Sequence, residues 1–189
     1  MNNSELLNGC LHNDNSAQRF FYDHYSPRIM GICMRYASGL KDTEAMVLYI
    51  FKKLYEELQQ CPADIDMKQW VEEKAIWHAI AYLHQDKQRY FIAKTTRYME
   101  NKNGKVEVAS EAEISEEDSR KLYLAALHAL TPSYRIIYNL TYIDKVKPEE
   151  IIQNLEIATE TYRVELEGAR FQFKQYLNTY LHEHGLRKQ

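Results

Sequence analysis

The sequence predicts an all-α protein in which an N-terminal helical bundle is joined by an acidic linker to a C-terminal helix-turn-helix domain. Only 6 Gly and 4 Pro occur among the 189 residues, and long helices tolerate few of either. Apolar residues recur at helical spacing on both sides of residues 106–118, where the periodicity weakens and six carboxylates gather. We therefore expect the bundle over residues 1–98, the linker over 99–120 and the second domain over 121–189.

Four helices are expected in the N-terminal bundle. Ser16 is the expected N-cap of the first, and Pro27 is expected to open the second at its first turn, where a missing N–H costs nothing. Asp42 is the expected cap of the third helix, over residues 43–60, and the fourth runs from Met67 to Arg89. The positions of these last two helices expected to face the core are Val47, Phe51, Leu54, Leu58, Trp70, Ile76, Ile80 and Leu83.

The second domain is expected to contain two helices followed by a helix-turn-helix pair. The first two are a helix over residues 122–130 and a helix capped by Ser133. The pair begins with a short helix over residues 148–155, and a long helix follows from Thr159 to near Leu181. A short helix joined to a second helix by a turn of three or four residues is the pattern of this motif.

The composition limits the possible functions. A hydrophobic fraction of 45% indicates a globular chain, and a net charge of -3 argues against a stand-alone nucleic-acid binder, which is usually basic. The cysteines, Cys10, Cys33 and Cys61, are odd in number and widely spaced, which favours reduced thiols over a zinc site or a disulfide framework. The polar N-terminus leads us to expect no signal peptide. The sequence contains no apolar run long enough for a membrane span, no metal or phosphate-binding motif and no nucleophile paired with a base. We therefore expect a cytoplasmic protein that is not an enzyme and has no cofactor.

Two blocks of sequence carry a family likeness. The first reads YSPRIMGICMRY at residues 25–36 and continues through Asp42, Glu44, Phe51, Trp70, Tyr82 and Leu83. The second reads LHALTPSYR at residues 127–135, PEEII at 148–152 and LEIATET at 155–161. In order and spacing, residues 17–90 resemble region 2 of bacterial extracytoplasmic-function (ECF) sigma factors, and residues 122–177 resemble region 4.

The resemblance implies a transcription factor that works on RNA polymerase. Region 2 of the family binds the coiled coil of the beta-prime subunit of core RNA polymerase and reads the -10 promoter element, and region 4 reads the -35 element. The implied partners are therefore core RNA polymerase and promoter DNA. An anti-sigma protein, often membrane-linked in this family, is a further possible partner.

The resemblance also implies three groups of site residues. The expected polymerase-binding residues, on the third helix, are Asp42, Glu44, Leu48, Tyr49 and Lys52. The expected DNA-binding residues on the -10 side are Trp77, Lys87, Arg89, Lys94 and Arg97. Those on the -35 side, in the long helix, are Thr159, Thr161, Tyr162, Arg163, Arg170 and Lys174.

At several functional positions the chain departs from the family pattern. Glu165, Glu167 and Gly168 stand where basic residues are common, and the carboxylates would repel phosphates. Leu48 and Tyr49 stand at polar positions of the family, which indicates either a wider core stripe or an apolar docking patch. Three hypotheses therefore stay open: a working sigma factor, a sigma-like adaptor that binds a protein partner with weak promoter recognition, and an unrelated helical interaction protein.

Overall fold

The computed structural model describes residues 3–62, 66–85 and 115–184, and all the regular structure in these ranges is helical. The chain divides into two compact units, Met1–Arg89 and Tyr90–Gln189. The predicted all-α class, with an N-terminal bundle followed by a helix-turn-helix domain, is confirmed.

The N-terminal unit contains four α-helices in its described part. These are α1 (Asn3–Leu11), α2 (Asn15–Tyr36), α3 (Leu40–Glu57) and α4 (Met67–Gln85), with a 3-10 turn at Leu58–Gln60. Helix α1 was not predicted; it is only nine residues long, and of its four apolar side chains Leu6 and Cys10 are buried.

Helix α2 corrects the prediction that two helices meet at Pro27. One buried stripe continues through the proline, since Phe21, Tyr25 and Ile29 are all buried. Pro27 lies on the exposed side of this helix, and burial of the stripe outweighs the loss of one backbone hydrogen bond. The N-cap is Asp14 rather than Ser16, and its carboxylate accepts hydrogen bonds from two backbone amides of the first turn.

Helices α3 and α4 bury most of the predicted stripe. Of the eight predicted core positions on these helices and the 3-10 turn, Ile76 alone is half-buried rather than buried. Helix α3 begins at Leu40 with Gly39 as its N-cap, so Asp42 lies in the first turn instead of capping it. The Asp42 carboxylate accepts hydrogen bonds from the backbone N and the hydroxyl of Ser38, at 2.8 and 2.9 Å.

The C-terminal unit contains α5 (Glu116–Ala129), α6 (Pro132–Tyr138), α7 (Pro148–Asn154) and α8 (Thr159–Glu183), with a π turn at Asn139–Ile143 after α6. Helix α5 begins inside the predicted linker, and Ser115 caps it. The N-cap of α6 is Thr131, with Pro132 at the first helical position, so the prediction that Ser133 caps this helix was wrong.

The core of this unit lies between α5, α6 and α8. Ala126, Leu127, Leu130 and Phe173 are buried together, and the ring of Tyr138 stacks on Phe173 with centroids 4.5 Å apart. The buried guanidinium of Arg135 donates hydrogen bonds to the carbonyls of His128 and Leu130, at 3.1 and 3.2 Å. Arg135 thereby satisfies backbone groups that the end of α5 leaves without helical partners.

A tight turn between α7 and α8 fixes where the long helix begins. The amide of Ile157 donates to the carbonyl of Ile152 at 3.1 Å, and the amide of Glu156 donates to the carbonyl of Gln153 at 3.3 Å. Glu156 has a φ of 52°, and this pair of bonds with a left-handed residue is a Schellman motif. The predicted short helix, turn and long helix are therefore all present.

Candidate protein and nucleic-acid interfaces

The outer side of α3 combines apolar and charged residues. Leu40, Glu44, Leu48 and Lys52 follow one another at four-residue steps, and all four are exposed. The two leucines are 70% and 66% exposed, respectively. Because one turn of helix separates each residue from the next, the leucines flank a carboxylate, and Lys52 lies one turn beyond Leu48.

Leu48 and Tyr49 have different environments. The ring of Tyr49 is half-buried and lies against the ring of Tyr82 on α4, with centroids 5.5 Å apart. Tyr49 therefore widens the core stripe, as the first interpretation expects, whereas Leu48 is open to solvent, as the docking interpretation expects. Of the five predicted polymerase-binding residues, Glu44, Leu48 and Lys52 are exposed on one side of α3, while Asp42 and Tyr49 are partly covered.

The predicted -10 residues are only partly described. Trp77 lies on α4 and is half-buried. Lys87, Arg89, Lys94 and Arg97 lie outside the described residues, and the basic stripe that they form in the sequence stays a prediction.

The outer side of α8 alternates in charge. Glu160, Arg163, Glu167 and Arg170 are all exposed and follow at steps of three or four residues, which places them on one face of the helix. Thr159 and Phe171 are also exposed, whereas Thr161 and Lys174 are half-buried. The two arginines of this face and Glu167 were predicted from the sequence as positions that bear on DNA binding, whereas Glu160 was not.

Glu160 and Arg163 form an ion pair in the first turns of α8. The guanidinium donates through Nη2 to Oε1 of Glu160 at 2.7 Å and through Nε to Oε2 at 3.2 Å. Both side chains are largely in solvent. The hydrogen bond from Arg163 lowers the pKa of the Glu160 carboxyl, so this carboxylate is ionised at neutral pH.

Two residues expected on the outer side of α8 face the core. Tyr162 is 7% exposed, and its hydroxyl lies 3.1 Å from that of Thr141, so it packs inside the domain rather than at a DNA surface. Glu165 is 3% exposed, which corrects the expectation that it repels phosphates. The reason is the phase of the helix, since Tyr162, Glu165, Ala169 and Phe173 share its buried side.

Gly168 is a packing position. A methyl group added to its Cα would overlap the ring and the hydroxyl of Tyr134 on α6. Glycine here leaves room for the Tyr134 ring against the backbone of α8, which explains why no basic side chain stands at this position.

The residues that the structure describes lack a metal-binding cluster and a membrane-spanning helix, and the cysteines among them are buried. All three cysteines are buried thiols, and burial raises the pKa of Cys33 to about 12, so this thiol is not a nucleophile at neutral pH. In the ranges that the structure describes, no group of three or more His, Cys, Asp or Glu side chains could hold a metal ion. None of the helices described there is long and apolar enough to span a bilayer.

Comparisons with known proteins find structural neighbours but no sequence relatives. No family model matches the chain, and no curated protein matches it. The chain is similar to a structure of CnrH in complex with the cytosolic domain of CnrY, with a TM-score of 0.47 and 13% identity, over 92% of this chain and 96% of that one. It is also similar to the sigma factor RpoE in complex with the anti-sigma factor NepR from Bartonella quintana, with a TM-score of 0.49 and 15% identity, over 84% of this chain and 96% of that one.

Proposed function

We propose that the chain is an ECF-type alternative sigma factor, which binds core RNA polymerase and directs promoter-specific initiation of transcription. The observation that carries the proposal lies in the second unit. A short helix, a Schellman turn and a long helix present Thr159, Glu160 and Arg163 to solvent at the start of the long helix. This is the part of a helix-turn-helix motif that meets base edges in the major groove.

The first turns of α8 have the chemistry of a DNA-reading helix. Thr159 offers a hydroxyl, Arg163 a guanidinium and Glu160 a carboxylate, each exposed, and these are the groups that distinguish bases in the major groove. Arg170 follows on the same face and would hold a phosphate. In this proposal Tyr162 positions the helix from inside, and Lys174 and Thr161 lie at the edges of the contact.

The outer side of α3 is the proposed surface for the polymerase. Leu48 would be buried against the beta-prime subunit, while Glu44 and Lys52 would pair with charges at the rim. An exposed leucine flanked by charged residues suits this role, because burial of the leucine supplies free energy and the charges select the partner. Trp77, Lys87, Arg89, Lys94 and Arg97 would contact the -10 element, where basic and aromatic side chains suit unpaired DNA.

The proposal also covers location and regulation. A sigma factor acts where the polymerase is, in the cytoplasm, has no cofactor and is not an enzyme. An anti-sigma protein is a possible regulator, and it would have to cover the outer side of α3 or of α8 to block this function.

One observation favours a second candidate function, a sigma-like adaptor. The outer side of α8 carries two carboxylates, Glu160 and Glu167, and two guanidiniums, Arg163 and Arg170, so its charge is close to neutral, and a neutral face attracts DNA weakly. An adaptor would keep the α3 surface for a protein partner and leave promoter recognition to another factor.

Co-purification and run-off transcription separate the two functions. The full chain is mixed with core RNA polymerase and genomic DNA fragments, and both the bound polymerase and the new transcripts are measured. Binding with new transcripts supports the sigma factor, and binding without transcripts supports the adaptor. Failure of the chain to bind the polymerase would contradict the proposal.

A matched pair of variants assigns the binding to α3. Leu48→Asp places a charge in the proposed interface and should abolish co-purification. Phe20→Asp changes an equally apolar, exposed residue on α2 and should leave co-purification unchanged.

A further inference from the structure

We infer that Glu160 is a specificity-determining residue, which accepts a hydrogen bond from the exocyclic amino group of a cytosine in the major groove while Arg163 holds it in place. The inference rests on the proposed function and adds the base that one position of the DNA site must carry. It starts from the ion pair at the beginning of α8.

The first step concerns position. Glu160 is the second residue of α8 and points into solvent. The N-terminal residues of a recognition helix are those that reach base edges. Glu167, the other exposed carboxylate of this face, lies about two turns further along, where contacts to the DNA backbone are expected instead.

The second step concerns chemistry. A carboxylate is an acceptor only, and in the major groove guanine and the thymine edge offer it only acceptors, whereas cytosine and adenine each offer an amino group. Adenine carries the acceptor N7 beside its amino group, which disfavours a carboxylate, so cytosine is the base that fits. Each oxygen of Glu160 accepts one N–H from Arg163. Since each carboxylate oxygen can accept a second hydrogen bond, the pair leaves room for an amino group.

The third step concerns orientation and charge. The two hydrogen bonds hold the carboxylate against the guanidinium of Arg163 and restrict its rotation, which reduces the entropy lost on binding. The neighbouring positive charge also offsets the repulsion between Glu160 and the phosphates. A carboxylate that is held and neutralised in this way can approach DNA, whereas an isolated carboxylate would be repelled.

The experiment compares base preferences. The full chain, bound to core RNA polymerase, selects from a duplex library randomised over the -35 side, and the selected DNA is sequenced for the wild type and for the Glu160→Ala variant. We expect the wild type to favour cytosine at one position by about tenfold. Glu160→Ala should lose that preference, keep the preferences at the other positions and bind DNA as tightly or more tightly, because a negative charge is removed.

Two controls complete the design. Glu167→Ala removes the other carboxylate of the face and should keep the cytosine preference. Circular dichroism of each variant checks that α8 still folds. Unchanged preferences in Glu160→Ala, or an equal loss of binding to all sequences, would overturn the inference while leaving the proposed function in place. A wild-type complex that selects no sequence at all would overturn the proposed function, and the inference with it.

Discussion

At the scale of single residues, Arg163 is the side chain on which the DNA hypothesis depends most directly. It is exposed in the first turns of α8 and already bonded to Glu160. We expect Arg163→Ala to weaken promoter binding by about 1–3 kcal/mol, because it removes both a contact to the DNA and the support of Glu160. Electrophoretic mobility shifts with the polymerase complex measure the loss.

Arg120 provides the matched control for this prediction. It lies on α5 in the same unit, and it too forms an exposed ion pair within one helix, with Glu116 at 3.3 Å. Arg120→Ala should leave promoter binding unchanged. Equal losses in the two variants would show that general charge, rather than position on α8, controls binding.

Gly168 and Gly31 differ in the space that is available for a side chain. Both lie inside helices, but a methyl group at Gly168 meets Tyr134, whereas one at Gly31 meets nothing within 4 Å. Gly31→Ala should therefore stabilise the N-terminal unit by about 0.5–1 kcal/mol through helix propensity. Gly168→Ala should give no such gain, because the ring and hydroxyl of Tyr134 must shift to make room for the methyl group. Urea unfolding measures both changes, and stabilisation by Gly168→Ala would contradict the close packing.

His78 makes the stability of the N-terminal unit depend on pH. Its Nε2 lies 3.2 Å from the Glu57 carboxylate, which also binds Lys74 at 2.9 Å. Burial lowers the pKa of His78 below its usual value of 6.5, although Glu57 opposes this shift. Below about pH 6.5 the unfolded chain therefore binds more protons at this residue than the folded protein does, and the free energy of unfolding falls as the pH drops.

Glu57 responds to acid in the same direction. Burial alone would raise its pKa, but Lys74 and His78 outweigh burial and lower the pKa below 4.5, so its stabilisation is lost as the pH falls through that region.

Urea unfolding between pH 7 and pH 5 isolates the contribution of the histidine. His78→Gln should flatten this decline, and the exposed His24→Gln should not. If the free energy of unfolding declines equally with pH in the wild type and in His78→Gln, His78 is not the cause of the decline.

At the scale of elements, the turn between α7 and α8 carries a strained residue. Glu156 adopts a φ of 52°, where side chains with a Cβ are disfavoured and glycine is not. Glu156→Gly should therefore stabilise the C-terminal unit by about 0.5–1 kcal/mol, whereas Glu156→Val should destabilise it by more. Thermal unfolding of the two variants tests this, and destabilisation by glycine would contradict the assigned turn.

The helices differ in how well the sequence predicted them, and packing explains the difference. The pair α7 and α8 was predicted because helical periodicity and Pro148 mark its limits locally. The helix break predicted at Pro27 was wrong. Proline often ends or begins a helix, but here the buried stripe of Phe21, Tyr25 and Ile29 continues on both sides of Pro27 and holds one helix together. Helix α1 was missed, although Leu6 and Cys10 stand one helical turn apart, because the segment has only nine residues, fewer than three turns.

The candidate site shows the same limit. The family likeness aligned Glu165 and Gly168 with exposed positions, but their environment depends on which side of α8 packs against Tyr134 of α6. The spacing of Ala169 and Phe173 with Tyr162 could have placed Tyr162 and Glu165 inside, since these four positions follow helical steps. No pattern in the sequence indicates the ion pair between Glu160 and Arg163, because a pair at this spacing is common on any exposed helix.

At the scale of the whole molecule, charge determines how the chain can find DNA. The net charge is -3, and the outer side of α8 sets two carboxylates against two guanidiniums. Non-specific affinity for DNA comes from basic residues that release counterions, and its dependence on salt counts the phosphates contacted. The chain should therefore bind DNA weakly by itself and acquire promoter affinity when the polymerase holds it at the DNA.

Salt titration tests this expectation. Between 50 and 200 mM salt, the logarithm of the affinity of the free chain should change with a slope of about -2, the value expected for two neutralised phosphates, rather than the -6 to -9 of a strongly basic binder. Glu167→Lys should steepen the slope by about 2, because it removes a repelling charge and adds a contact, whereas Glu117→Lys on α5 should not change it. If the free chain binds DNA tightly with a steep slope, residues beyond α8 supply the phosphate contacts, and the polymerase is not needed to bring this protein to DNA.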